Sequence, residues 1–153
     1  IFSKLGVTFD MFEGIYASAW DGECNFLELS RTPICCAVAK NHKYAKYQKL
    51  TLDDLKNETL VMPVPGVSNE LDTFRSEVSE IAANIVESAY YGIDTFTMCE
   101  MVPYILITQP VYSDIHTSLV TIPLETKYTL PYGLIYANEP SHAVKKFIDA
   151  TKN

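Results

Sequence analysis

Residues 59–91 constrain the fold more than any other part of the chain. Thr59 to Met62 is a short apolar, β-prone run. Pro63-Val64-Pro65-Gly66 stops it, and Ser68 or Asn69 supplies a helix N-cap. Over residues 69–82, Leu71, Phe74, Val78 and Ile81 recur at spacings of three and four. Asp72, Arg75, Glu77 and Glu80 then face away from that stripe. Residues 84–91 read as the next strand, with Ile85, Val86 and Ala89 as its apolar members. Strand, helix, strand in this order is a βαβ unit, with parallel strands and a right-handed crossover. An α/β fold follows.

Residues 34–39 are wholly apolar between Pro33 and Lys40, as expected of a strand buried on both faces. Residues 5–9 read as a short strand ended at Asp10. Asp21-Gly22 signals a turn, and Phe26, Leu27 and Leu29 begin an extended edge segment. Thr51 with Asp54 forms a capping-box variant, opening a short helix that ends near Asn57. Asp94 or Thr95 caps a helix running to about Met101 and stopped by Pro103. Residues 104–108, 118–122 and 129–136 are further strands, with Pro131 placing the last at an edge or after a bulge. Residues 138–141 open a final helix whose narrow apolar face is Val144, Phe147 and Ile148.

The 153 residues allow one buried core or two small lobes. A net charge of -7 argues against nucleic-acid binding by this piece, since phosphate contacts need clustered Lys and Arg. No apolar run reaches bilayer length. Cys24, Cys35, Cys36 and Cys99 show no metal-ligand spacing and read as small apolar residues of a reducing cytosol. Cys35 and Cys36, adjacent in a strand, should point to opposite faces. His42, His116 and His142 are scattered over turn, loop and helix, so no Cys/His catalytic pair is expected. His42 reads as a turn residue. Lys40, Lys43, Lys46 and Lys49 around it read as a solvated connector.

The turn His42-Lys43-Tyr44-Ala45, the helix opening Thr51-Leu52-Asp53-Asp54-Leu55 and the ending with Ser141 and Phe147-Ile148 carry a resemblance. In that order they resemble the effector-binding domain of LysR-type transcriptional regulators. The usual glycines of the family are missing from residues 101–110, and the family's first strand and helix of lobe one are absent. The resemblance implies a type 2 periplasmic-binding-protein-like fold: two α/β lobes joined by two crossover strands, the first lobe incomplete in this chain. Residues 1–33 and 138–153 would form that partial lobe, 34–41 and 132–137 the crossovers, and 42–131 the second lobe.

The same resemblance implies a cytoplasmic, non-enzymatic domain that senses a small-molecule effector in the cleft between lobes. It implies dimers of effector domains, a tetramer at full length, and DNA contact only through a helix-turn-helix module outside this chain. No cofactor, metal or membrane is expected. A transporter's solute-binding protein of the same fold is the alternative. Residues 64–69 are a candidate site on physical grounds too, because backbone N–H groups and the positive helix end converge there. A plain capped turn would look the same. By resemblance, Pro65, Gly66 and Val67 match the family's ligand loop, flanked here by Val64, Ser68 and Asn69. Tyr90 and Tyr91 match the neighbouring strand end, and Phe12, Glu13 and Tyr16 the first-lobe side. Glu13 and Tyr16 fall where some relatives carry a basic residue, and the acid there suggests an effector with a donor or cationic group.

Overall fold

The computed structural model describes residues 1–152. In chain order the strands are β1 (Met11–Ile15), β2 (Asn25–Pro33), β3 (Cys35–Ala39), β4 (Leu50–Thr51) and β5 (Thr59–Pro63). Helix α1 (Asn69–Val78), β6 (Asn84–Ser88), α2 (Ile93–Met101) and β7 (Ile105–Thr108) follow. The chain closes with β8 (Leu119–Glu125), β9 (Thr129–Tyr136) and α3 (His142–Thr151). Two compact units result, one from Ile1–Arg31 together with the chain from Leu130 on, the other from Thr32–Thr129.

The first unit holds a three-stranded sheet in the order β1-β9-β2. β1 and β9 are antiparallel, with Met11 opposite Tyr136 and Gly14 opposite Gly133. The central strand is therefore β9, which corrects the expectation of an edge. Pro131 is tolerated because the β1 ladder begins one residue later, at Tyr132 opposite Ile15. A second correction concerns residues 5–9, which form a turn and not a strand. Gly6 adopts φ 81°, its amide donates to the Phe9 carbonyl, and Thr8 donates back to Lys4. Around buried Leu5, Cys24 and Ile135 gathers a cluster of aromatic rings. Trp20 sits edge-on to Phe2, Phe12 and Tyr16, while Tyr16 stacks on Phe26 at 4.5 Å.

The second unit is built on a six-stranded sheet in the order β4-β8-β3-β7-β5-β6. β5 runs parallel to both β6 and β7, as a βαβ unit requires. β3 is antiparallel to both its neighbours, β7 and β8. All five of its residues are buried, so the unbroken apolar run records coverage on two faces. Leu71, Phe74 and Val78 form the buried stripe of α1. That helix ends at Val78, four residues sooner than its periodicity suggests, and Ile81 lies beyond it. The Thr51 segment shortens to one 3-10 turn, Leu52–Leu55. Its Asp54 carboxylate accepts from both the amide and the hydroxyl of Thr51.

The lysine turn after β3 is less idle than its composition implies. Lys43 pairs with Glu58, and Lys49 with Glu125 at 2.6 Å. His42 is buried, and its Nδ1 accepts the Tyr44 amide at 3.0 Å, which folds the turn back. Burial lowers its pKa, and the nearby Pro103 carbonyl offsets part of that effect. Nε2 makes no hydrogen bond of ordinary geometry among the described residues.

Candidate functional site

The turn between β5 and α1 is fixed at its start by Val64, whose amide donates to the Ser88 carbonyl at 3.1 Å. Pro65 and Gly66 are then exposed. Gly66 has φ 89°, a left-handed conformation that costs glycine little and other residues a great deal. Its amide points at Asp72, whose carboxylate oxygens lie 3.1 and 3.0 Å away. Ser68 is buried and caps α1 by accepting the Leu71 amide at 3.3 Å. The same hydroxyl donates to Glu70 at 3.1 Å. Asn69 is the first helical residue.

The positive helix end is thus already faced by the carboxylates of Glu70 and Asp72. Behind the turn lies Arg75, which donates to the Pro63 carbonyl and sits 3.5 Å from Glu87. Asp72 and Arg75, which periodicity turns away from the apolar stripe, close the turn. One local signal could have found Asp72: an acid in the first turn of a helix has a reason to reach back for an unpaired amide. Nothing local points Arg75 at a carbonyl twelve residues away.

Tyr90 and Tyr91 lie beyond the end of β6, not within it, because the strand stops at Ser88. They still diverge. Tyr90 is 75% exposed. Tyr91 turns inward, donating to the Ile107 carbonyl at 2.7 Å with the Val61 carbonyl 3.2 Å away. Its hydroxyl therefore spans β5 and β7 just past their last paired residues, Val61 and Leu106. Burial pushes its pKa well above the ordinary phenol value.

Phe12, Glu13 and Tyr16 belong to the other unit. Phe12 is committed to the aromatic cluster, with Phe9 and Trp20 at 6.1 and 6.2 Å. Tyr16 donates to Asp21 at 2.7 Å, and burial followed by that bond raises its pKa. Glu13 is exposed on β1. Among the described residues no group of three or more His, Cys, Asp or Glu side chains is placed to hold a metal ion. None of their helices is long and apolar enough to cross a membrane.

No family model and no curated protein matches the chain. Solved structures do. The chain is similar to the effector binding domain of QuiR in complex with shikimate, at 22% identity and a TM-score of 0.64. That match covers 93% of this chain and 69% of the other. It is also similar to CbnR, a LysR family transcriptional regulator, at 14% identity over 95% of this chain, with a TM-score of 0.63. The chain has the fold of a LysR-type effector-binding domain. A third structure of this fold is the regulatory domain of CcmR from Synechocystis PCC6803 in complex with 2-PG, at 11% identity and a TM-score of 0.59. It is matched over 83% of this chain and 64% of its own length. The chain spans 52% of the CbnR chain. In this LysR-type architecture, which is type 2 periplasmic-binding-protein-like, residues 64–69 join the parallel strand β5 to helix α1 at the carboxyl end of the strand. Open α/β sheets gather ligands at such ends.

Proposed function

We propose that the chain is the effector-sensing part of a LysR-type transcriptional regulator, binding a small molecule and catalysing nothing. The observation that carries this is the β5–α1 turn, where an exposed Gly66 at φ 89° allows close approach to the backbone beside the carboxylates of Glu70 and Asp72. The fold supports the reading, as do the two similar domains whose structures hold shikimate and 2-PG. The thiols supply no competing chemistry. All four cysteines are buried, and burial raises each pKa, so none is an activated nucleophile.

The effector site on this unit comprises Val64, Pro65, Gly66, Val67, Ser68 and Asn69, with Tyr90 at its side. Glu70 and Asp72 set its preference. Two carboxylates at the helix end repel a carboxylate effector and favour one that brings donors, a polyol or an amine. The full protein works in the cytoplasm as a homo-oligomer and meets DNA through a separate helix-turn-helix module.

A thermal-shift panel of polyols, amines and carboxylates tests the site. Ligands that bind raise Tm with concentration, by the linkage between binding and stability. Hits should come from the donor-rich classes and perturb the amide signals of Gly66 and Val67 in heteronuclear NMR. Stabilisation by simple carboxylates alone, or hits that leave those amides unmoved, would overturn the assignment.

A further inference from the structure

The turn after β3 hangs on a single lone pair. His42 Nδ1 accepts the Tyr44 amide at 3.0 Å. A ring nitrogen that accepts carries no proton, so the proton of the neutral imidazole sits on Nε2. The ring is 8% exposed and lies beside the Pro103 carbonyl. Around this link the turn closes on itself. The His42 carbonyl accepts the Ala45 amide at 3.0 Å, and the Tyr44 carbonyl accepts the Tyr47 amide at 2.9 Å. The Tyr44 hydroxyl donates to the Asp54 carbonyl at 2.8 Å, and the Lys43 ammonium lies 4.9 Å from the centre of its ring.

A second proton on the imidazole reverses the role of Nδ1. It then points an N–H at the Tyr44 N–H, donor against donor, so the imidazolium and the closed turn exclude one another. Among the described residues the charged groups lining the recess beside the ring are Lys43, Glu58 and Glu100. Lys43 and Glu58 pair with each other, and Glu100 stands in the last turn of α2. Glu58 favours the imidazolium and Lys43 opposes it, but burial opposes it more strongly than either. Opening the turn removes both obstacles at once, since the ring gains water and Nδ1 no longer faces a donor.

We propose that His42 is a proton-operated latch: uptake of one proton at Nδ1 breaks the link to Tyr44 and releases the turn from His42 to Tyr47, while the sheet behind it stays paired. The released segment takes Lys43 away from Glu58 and carries Lys46 with it, so mild acid converts a tethered basic turn into a mobile one. The latch shares no residue with the turn at 64–69, and either assignment can fail without the other.

Heteronuclear NMR of the whole chain between about pH 7.5 and 5.5 tests the latch, because an exposed histidine titrates inside that range. Opening that takes up one proton is favoured about tenfold per pH unit below the ordinary histidine value of about 6.5. Protection of the Tyr44 amide, corrected for the intrinsic pH dependence of exchange, should therefore fall about tenfold on reaching pH 5.5 or so, while the β3 amides keep theirs. His42→Asn offers the same amide a carbonyl oxygen that cannot titrate, so the step should vanish with Tyr44 still protected. His42→Ala should leave that amide unprotected across the range. Tyr44 protection that stays flat while the His42 ring titrates, β3 amides that lose protection in step with Tyr44, or a step that persists in His42→Asn would each overturn the proposal.

Discussion

Asp72 folds back on Gly66, both carboxylate oxygens lying within 3.1 Å of one backbone nitrogen. This contact holds the turn in its left-handed conformation and places a negative charge at the head of α1. Asp72→Asn keeps the shape and removes the charge. It should cost about 1 kcal/mol, the scale of a helix-end charge interaction plus a weakened hydrogen bond. Urea denaturation reads that loss. The same variant should raise affinity for anionic effectors relative to amines, which repeating the thermal-shift panel would check.

His42 and His116 make stability depend on pH in a defined direction. Burial lowers both pKa values in the folded chain. Below the ordinary histidine value of about 6.5 the unfolded chain holds more protons than the folded one. Stability should therefore fall as pH drops below that point, and level off once the native rings are protonated. Above about 7.5 both states are neutral and the effect vanishes. Urea midpoints measured on either side of this window should differ, and less so in His116→Phe.

At Gly133 there is no room for a side chain. A Cβ placed there would lie 2.0 Å from the Leu27 carbonyl oxygen, so β9 and β2 could not keep their spacing. Gly133→Ala should cost about 3 kcal/mol, at the upper end of overpacking penalties. Thermal unfolding would register this. Gly22→Ala is the control for a glycine whose Cβ meets nothing within 4 Å, and its cost should be backbone strain alone.

The cysteines should be silent toward alkylation. Burial pushes Cys35 up to about 12 and Cys99 up to about 11, with Cys36 raised further. Iodoacetamide at mildly alkaline pH should modify them only as fast as the chain opens. Mass spectrometry with and without denaturant gives the ratio, and rapid native labelling of Cys36 would contradict the packing described.

Periodicity recovered what packing alone determines. The Cys35–Ala39 run and the Leu71, Phe74, Val78 stripe each announce the surface they bury, and β5, α1 and β6 followed from them. Residues 5–9 misled because their apolar alternation is that of a strand, whereas Gly6 at φ 81° turns the chain. The true strand holds Glu13 and Gly14, which lack strand propensity and gain their place from pairing with β9. For the turn at residues 64–69, the capping serine was legible and the acids that close it were not. Their direction depends on rotamers that no spacing encodes. His116 lies in a polar stretch with no period, and its burial comes from α2 and β7 packing over it.

The placement of β3 has a consequence for how the chain is made. Its two neighbours, β7 and β8, come from residues 105–125, far downstream. A ribosome releases Cys35–Ala39 long before either partner exists. During that interval a five-residue apolar strand carries two unpaired edges, the pattern most prone to join another chain. Any product ending before Leu119 leaves at least one edge of that strand bare, so a stalled or clipped chain should require a chaperone where the finished one does not.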